Sequence, residues 1–110
     1  VPTTYKVLAQ SNPAATTETT LYTASTSAAT VVSTIAICNQ AGSSATYRIA
    51  VRPSAEGTTT AKNWIVYGAT VAASDSVLLT LGITLAASDV IRVYASTANL
   101  SFSAFGSEIS

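Results

Sequence analysis

The chain has 110 residues, with five Lys and Arg, five Asp and Glu, and a formal net charge of zero. Charged residues are 9% of the chain, against about 25% in an ordinary soluble domain; 18 Thr, 15 Ser and 20 Ala dominate instead. The absence of His and the single Cys exclude the usual general base near neutral pH, Ser-His-Asp and Cys-His sites, a His/Cys zinc site and any disulfide within the chain.

The first segment, Tyr5-Lys6-Val7-Leu8, has strand-like content and is cut off by Asn12-Pro13, since proline breaks backbone pairing. Residues 1–20 therefore read as an N-terminal arm or first strand, and residues 21–110 as one β-sandwich domain. A second strand is expected near 20–24. The β-branched run Val31 to Cys38 predicts a central strand at 31–39, covered on both faces. Cys38 then reads as a small buried hydrophobe, because no His is present to activate a thiol.

After a turn at Asn39 to Ser44, Tyr47, Ile49 and Val51 alternate with Arg48, Ala50 and Arg52. Period two means a strand, here 45–52, with one buried face. Pro53 to Thr60 reads as a polar loop, followed by a strand near 63–68. Val77, Leu79 and Leu81 alternate in the next, at 76–81; the last two fall near 89–96 and 99–105, where Leu100, Phe102 and Ala104 alternate with serines. No stretch keeps helical spacing. Eight short strands with turn signals between them predict an all-β chain, an antiparallel β-sandwich of jelly-roll type.

One internal echo stands out. Gly68 to Asp75, GATVAASD, is repeated 14 residues later as GITLAASD, Gly82 to Asp89. Both read as a strand end and a tight turn, with Asp accepting backbone donors. The other reading of Asp75 and Asp89 is a glycosidase acid/base pair.

Several residues on the polar sides of these strands are candidates for binding. Trp64, Tyr67 and Tyr94 offer a sugar-stacking platform, or else core or interface rings. Arg48, Arg52 and Arg92 face away from the apolar positions, as a solvated face or an interface. Tyr5, Val7, Arg48, Arg52, Trp64 and Arg92 are the expected interface residues. No cofactor, metal or catalytic group is expected. Asn99-Leu100-Ser101 matches a glycosylation sequon. The basic residues Lys6, Arg48, Arg52, Lys62 and Arg92 are scattered, which argues against a nucleic-acid partner. The longest apolar stretch, Val77 to Ala87, falls short of the roughly 18 residues of a membrane span. No secretory leader is expected, and the start at Val1-Pro2 reads as an intracellularly made chain without its initiator Met.

The C-terminal half carries a more specific signature. Leu81-Gly82-Ile83-Thr84-Leu85 leads through Ser88-Asp89-Val90-Ile91 and Val93-Tyr94-Ala95-Ser96 to Asn99-Leu100-Ser101-Phe102-Ser103-Ala104-Phe105-Gly106-Ser107-Glu108. With Ile37-Cys38-Asn39 and Tyr47 to Pro53 upstream, the stretch from Leu21 to Glu108 resembles a family of small virion structural proteins of tailed bacteriophages, many from cyanophages. The resemblance implies an all-β virion component without enzymatic activity, made in the host cytoplasm. The expectation is a capsid cement or decoration protein on the head surface, partnered by the major capsid protein and by copies of itself, as a trimer. A tail or tail-fibre component and a carbohydrate-binding module are the alternatives.

Overall fold

The computed structural model describes residues 3–109, so the expectation about Val1-Pro2 lies outside the described residues. Eight strands follow in chain order: β1 Thr3–Ser11, β2 Thr19–Thr23, β3 Ala29–Asn39, β4 Ala45–Arg52, β5 Trp64–Val71, β6 Ser76–Leu85, β7 Val90–Ala95 and β8 Leu100–Ile109. They form two four-stranded sheets, sheet A in the order β1-β8-β3-β6 and sheet B in the order β2-β7-β4-β5. Every pairing is antiparallel. First pairs with last and so inwards: β1 with β8, β2 with β7, β3 with β6, β4 with β5. The chain is thus one long hairpin rolled on itself, with β8 also meeting β3 and β7 meeting β4. This is the jelly-roll form of the antiparallel sandwich.

The alternating strands build the core. Val32, Ile35 and Ile37 of β3 and Leu100, Phe102 and Ala104 of β8 face Tyr47 and Ile49 of β4 and Ile91 and Val93 of β7, and all are buried. Tyr47 and Phe102 meet edge to face at 6.3 Å between ring centroids. Asn39 is also buried, and its amide is satisfied: it donates to Ser43, Val71 and Ala72 carbonyls and accepts from Ala41 N–H. At the opposite end, Tyr22 of sheet B donates to Glu108 of sheet A at 2.6 Å, and Lys6 pairs with the other oxygen of that carboxylate at 2.8 Å.

Both echoed turns form as expected. Ser74 and Ser88 take positive φ, 54° and 66°, and Asp75 and Asp89 each return a backbone hydrogen bond to the alanine three residues earlier. Both echoes begin inside a strand rather than at its end: β5 runs on past Gly68 to a buried Val71, and β6 past Gly82 to a buried Leu85. The last strand likewise continues to Ile109. β3 is central but covered on one face only. Its outward residues, Val31, Thr34, Ala36 and Cys38, are half-exposed, so Cys38 is not the buried hydrophobe that its apolar run suggested. The first strand pairs with β8 of its own chain from Thr3↔Ile109 to Ser11↔Phe102. Beyond it Asn12 donates to the carbonyls of Ala98 and Leu100, and Pro13 is buried.

Candidate functional site

Alternation leaves each sheet with an outward half, and the two outward halves divide the expected interface residues between them. Tyr5 and Val7 lie on sheet A, at the edge strand β1, in register with Ser107 and Phe105 of β8. Tyr5 is 84% exposed and Val7 52%, and Leu78 at the far edge of the same face is 66% exposed. Between them the outward positions are Val31, Ala36, Ser101, Ser103 and other small or apolar residues, with Lys6, ion-paired to Glu108, beside Tyr5 on the edge strand. A shallow depression of about 480 Å³ opens between Tyr5, Lys6, Val31, Ser33, Phe105 and Gly106. Gly106 is required here: a Cβ would sit 2.0 Å from the Val31 carbonyl oxygen.

Arg48, Arg52, Trp64 and Arg92 belong to sheet B. Strict alternation would send Trp64 and Tyr67 to opposite faces. The first of two bulges in β5 prevents this, because Ala50 pairs with Trp64 but Ile49 with Val66 and Arg48 with Tyr67; the second follows Tyr67, where Tyr47 pairs with Ala69. Ile65 and Gly68 are the extra residues, Gly68 with φ of +83°, a conformation glycine adopts without strain. Both rings therefore face outward. Tyr94 joins them from β7, directly opposite Arg48 on its other side. The Arg48 guanidinium is clamped between Tyr67 and Tyr94, 4.1 and 4.2 Å from the two ring centroids, and lies 5.9 Å from the Trp64 ring. Trp64 and Tyr67 meet edge to face at 5.5 Å. Each close cation–ring contact is worth about 0.5–1 kcal/mol at a partly exposed site. Tyr67 stays 64% exposed.

A polar rim borders this cluster. The Glu18 carboxylate accepts from Arg92 Nε at 2.7 Å and from the Thr59 hydroxyl at 2.7 Å, and Arg92 also donates to Thr20. Arg52 donates to Thr59 through Nη1, while its Nε is buried without a partner among the described residues. Desolvation would raise the Glu18 carboxyl, but the hydrogen bonds from Thr59 and Arg92 and the charges of Arg92 and Arg52 outweigh it and hold the group below its ordinary value. The loop after Arg52 is fixed by buried Asn63, which accepts from Thr60 N–H and donates to Glu56. Glu56 pairs with Lys62 at 3.1 Å, and this ion pair lowers its pKa. The loop closes over one end of the rings, leaving a depression of about 510 Å³ lined by Thr59, Thr60, Ala61, Trp64 and Tyr67.

The remaining candidates fall elsewhere. Asp75 and Asp89 stand at opposite ends of the ten-residue strand β6, about 30 Å apart at the usual rise of a strand. An acid/base pair across a glycosidic bond needs about 5–9.5 Å, so these two carboxylates do not form one. Asp75 accepts from Ser76 N–H, and Asp89 from Ala86 and Ser54 N–H. Asn99 is exposed in the β7–β8 turn. Among the described residues no three His, Cys, Asp or Glu side chains gather as metal ligands, and no helix is long and apolar enough to cross a membrane.

No protein-family model, no curated protein and no solved structure matches the chain.

Proposed function

We propose that the protein is a structural component of a tailed-phage virion, a cement or decoration protein that binds the outside of the head and ties neighbouring capsomers together. The observation that supports this reading is the outer face of sheet A, where Tyr5, Val7 and Leu78 stand exposed and the charge that lines the depression beside them, Lys6, is neutralised by Glu108. Such a face loses little on leaving water and suits packing against another protein surface. Its short Ser, Thr and Ala side chains also surrender little rotamer entropy on docking. The resemblance of Leu21–Glu108 to phage virion proteins points the same way. The mechanism is mass action: a protein that binds only the assembled shell stabilises it, and many copies make individually small contacts strong together. The open edge of β1 beside the same face serves self-association, with a trimer matching a threefold position on the shell.

Copy number tests the reading. Purified virions are expected to hold the protein at an abundance approaching that of the major capsid protein. Tens of copies would make it a tail or fibre component, and absence from the particle would overturn a virion role. Heads lacking the protein are expected to bind it, and to bind the Tyr5→Ser, Val7→Ser double variant more weakly.

A further inference from the structure

The head-binding reading makes no use of the ring cluster on sheet B, which has the composition of a separate site. Among the described residues every carboxylate is committed. Glu18 holds Arg92, Glu56 holds Lys62 and Glu108 holds Lys6, while Asp75 and Asp89 accept backbone amides in their turns. Arg52 lies in the field of Glu18 and Glu56. Arg48 alone among the basic residues has no carboxylate near it, and it makes no hydrogen bond or ion pair among the described residues. None of its nitrogens is buried. Tyr67 and Tyr94 hold it on two sides, 4.1 and 4.2 Å from their ring centroids, which restricts its motion and leaves its N–H groups without a protein acceptor among the described residues. A guanidinium prepared in this way matches a planar oxyanion, which it can take through two parallel hydrogen bonds.

We propose that this face binds an anionic saccharide, a uronate unit of an acidic polysaccharide, with Arg48 on the carboxylate and the sugar ring against Trp64 and Tyr67. Charge complementarity selects the anion. The neighbourhood selects the sugar over an acidic peptide: the rings that wall the depression offer flat apolar surface to the C–H face of a pyranose. Thr59 and Thr60 add hydroxyls at its rim, each with lone pairs to spare beyond the bonds they make. The depression, about 510 Å³, falls within the range of small-ligand sites; Arg48 does not line it but lies beside it, 4.1 Å over the Tyr67 ring and 5.9 Å from that of Trp64. A neutral glycan would leave Arg48 without a partner and is expected to bind more weakly.

The test is calorimetric titration of the whole chain with three probes: alginate oligosaccharides, dextran oligosaccharides and oligoglutamate. Alginate is expected to bind with an affinity that falls as salt is raised, and dextran about tenfold more weakly or not at all. Arg48→Gln is expected to lower alginate affinity by about tenfold or more, with Arg48→Lys between it and the parent. Tyr67→Ala, at an exposed position, and Trp64→Ala are both expected to weaken alginate binding while the circular dichroism spectrum stays that of a β protein; if Trp64→Ala unfolds, Tyr67→Ala decides. The proposal is overturned if alginate gives no heat, if dextran binds equally, or if Arg48→Gln binds as the parent does. It is overturned in favour of an acidic-peptide site if oligoglutamate binds as tightly as alginate and is indifferent to Tyr67→Ala. Head binding by Arg48→Gln is expected to be unchanged, so loss of the glycan site and loss of the virion role read out separately.

Discussion

The outer faces of sheets A and B rest on one core and share one alternation, yet they are built from different chemistry. Sheet A presents Tyr5, Val7, Leu78 and a field of Ser, Thr, Ala and Val. Sheet B presents all three arginines with Trp64, Tyr67 and Tyr94. The inward half of each strand is constrained by packing, since Phe102 or Ile49 admits no polar replacement without loss. The outward half is free to carry whatever the surroundings require. A chain with so few charges that places its arginines on one side only has two surfaces suited to two kinds of contact: broad and apolar on sheet A, local and polar on sheet B.

The largest effect is expected where the two faces share support. Phe102→Ala removes a fully buried ring and is expected to cost about 3–5 kcal/mol in urea unfolding, degrading both faces together. Gly106→Ala separates them. Its Cβ meets the backbone of Val31, within sheet A, and the forced shift is expected to cost about 1–3 kcal/mol. The fluorescence of the single Trp64 on sheet B should change little in the native state.

Glu18→Gln strikes the other face. It removes the charge that holds Arg92 and is expected to cost about 1 kcal/mol at this partly exposed pair, without affecting binding through Tyr5 and Val7. Acid reaches the same carboxylate. Glu18 lies below its ordinary value when folded, as does Glu108, whose carboxylate accepts from Lys6 and Tyr22. Their contribution is complete above the unfolded value of 4.5 and is lost as pH falls through the lower folded values. With no His in the chain, stability is expected to be flat from about pH 5.5 to 8 and to decline below about pH 4. Chemical denaturation across that range checks both limbs. The smallest effect on folding is expected at Tyr5→Ser, within about 0.5 kcal/mol, because the ring is almost wholly in solvent; its consequence should appear in head binding alone.

The eight strands were legible because period two needs only local residues, as at Tyr47, Ile49 and Val51 or at Leu100, Phe102 and Ala104. Strand ends were less so. Gly82 reads locally as a break, but pairing of β6 with β3 carries the strand through it. In the sequence the ring cluster reads only as three aromatic residues, Trp64, Tyr67 and Tyr94, offered as one platform. What assembles it is not local: Arg48 meets Tyr67 and Tyr94 through the register of β4 with β5 and β7, and the bulge at Ile65 overturns the alternation between Trp64 and Tyr67. Cys38 failed for the complementary reason. An apolar run does not say which of its residues point inwards until the neighbouring sheet is known.

The nested pairing of the rolled hairpin also sets a clock. Among the paired strands only β4 and β5 are consecutive in the chain, joined through residues 53–63. The other pairs span ever longer stretches, until Thr3 meets Ile109. Once β4–β5 has closed, it brings β3 towards β6 and β2 towards β7, and each zipping step shortens the loop that the next must close. β1 is then expected to dock last, in a reaction taking about milliseconds to seconds, as topologies dominated by distant contacts do. Ile49→Val should therefore slow refolding, whereas Val7→Ala should leave refolding alone and hasten unfolding. During that interval β8 has an unpaired edge waiting for its partner, and a second chain supplying its own β1 at that moment would form an exchanged dimer whose yield rises with protein concentration during refolding.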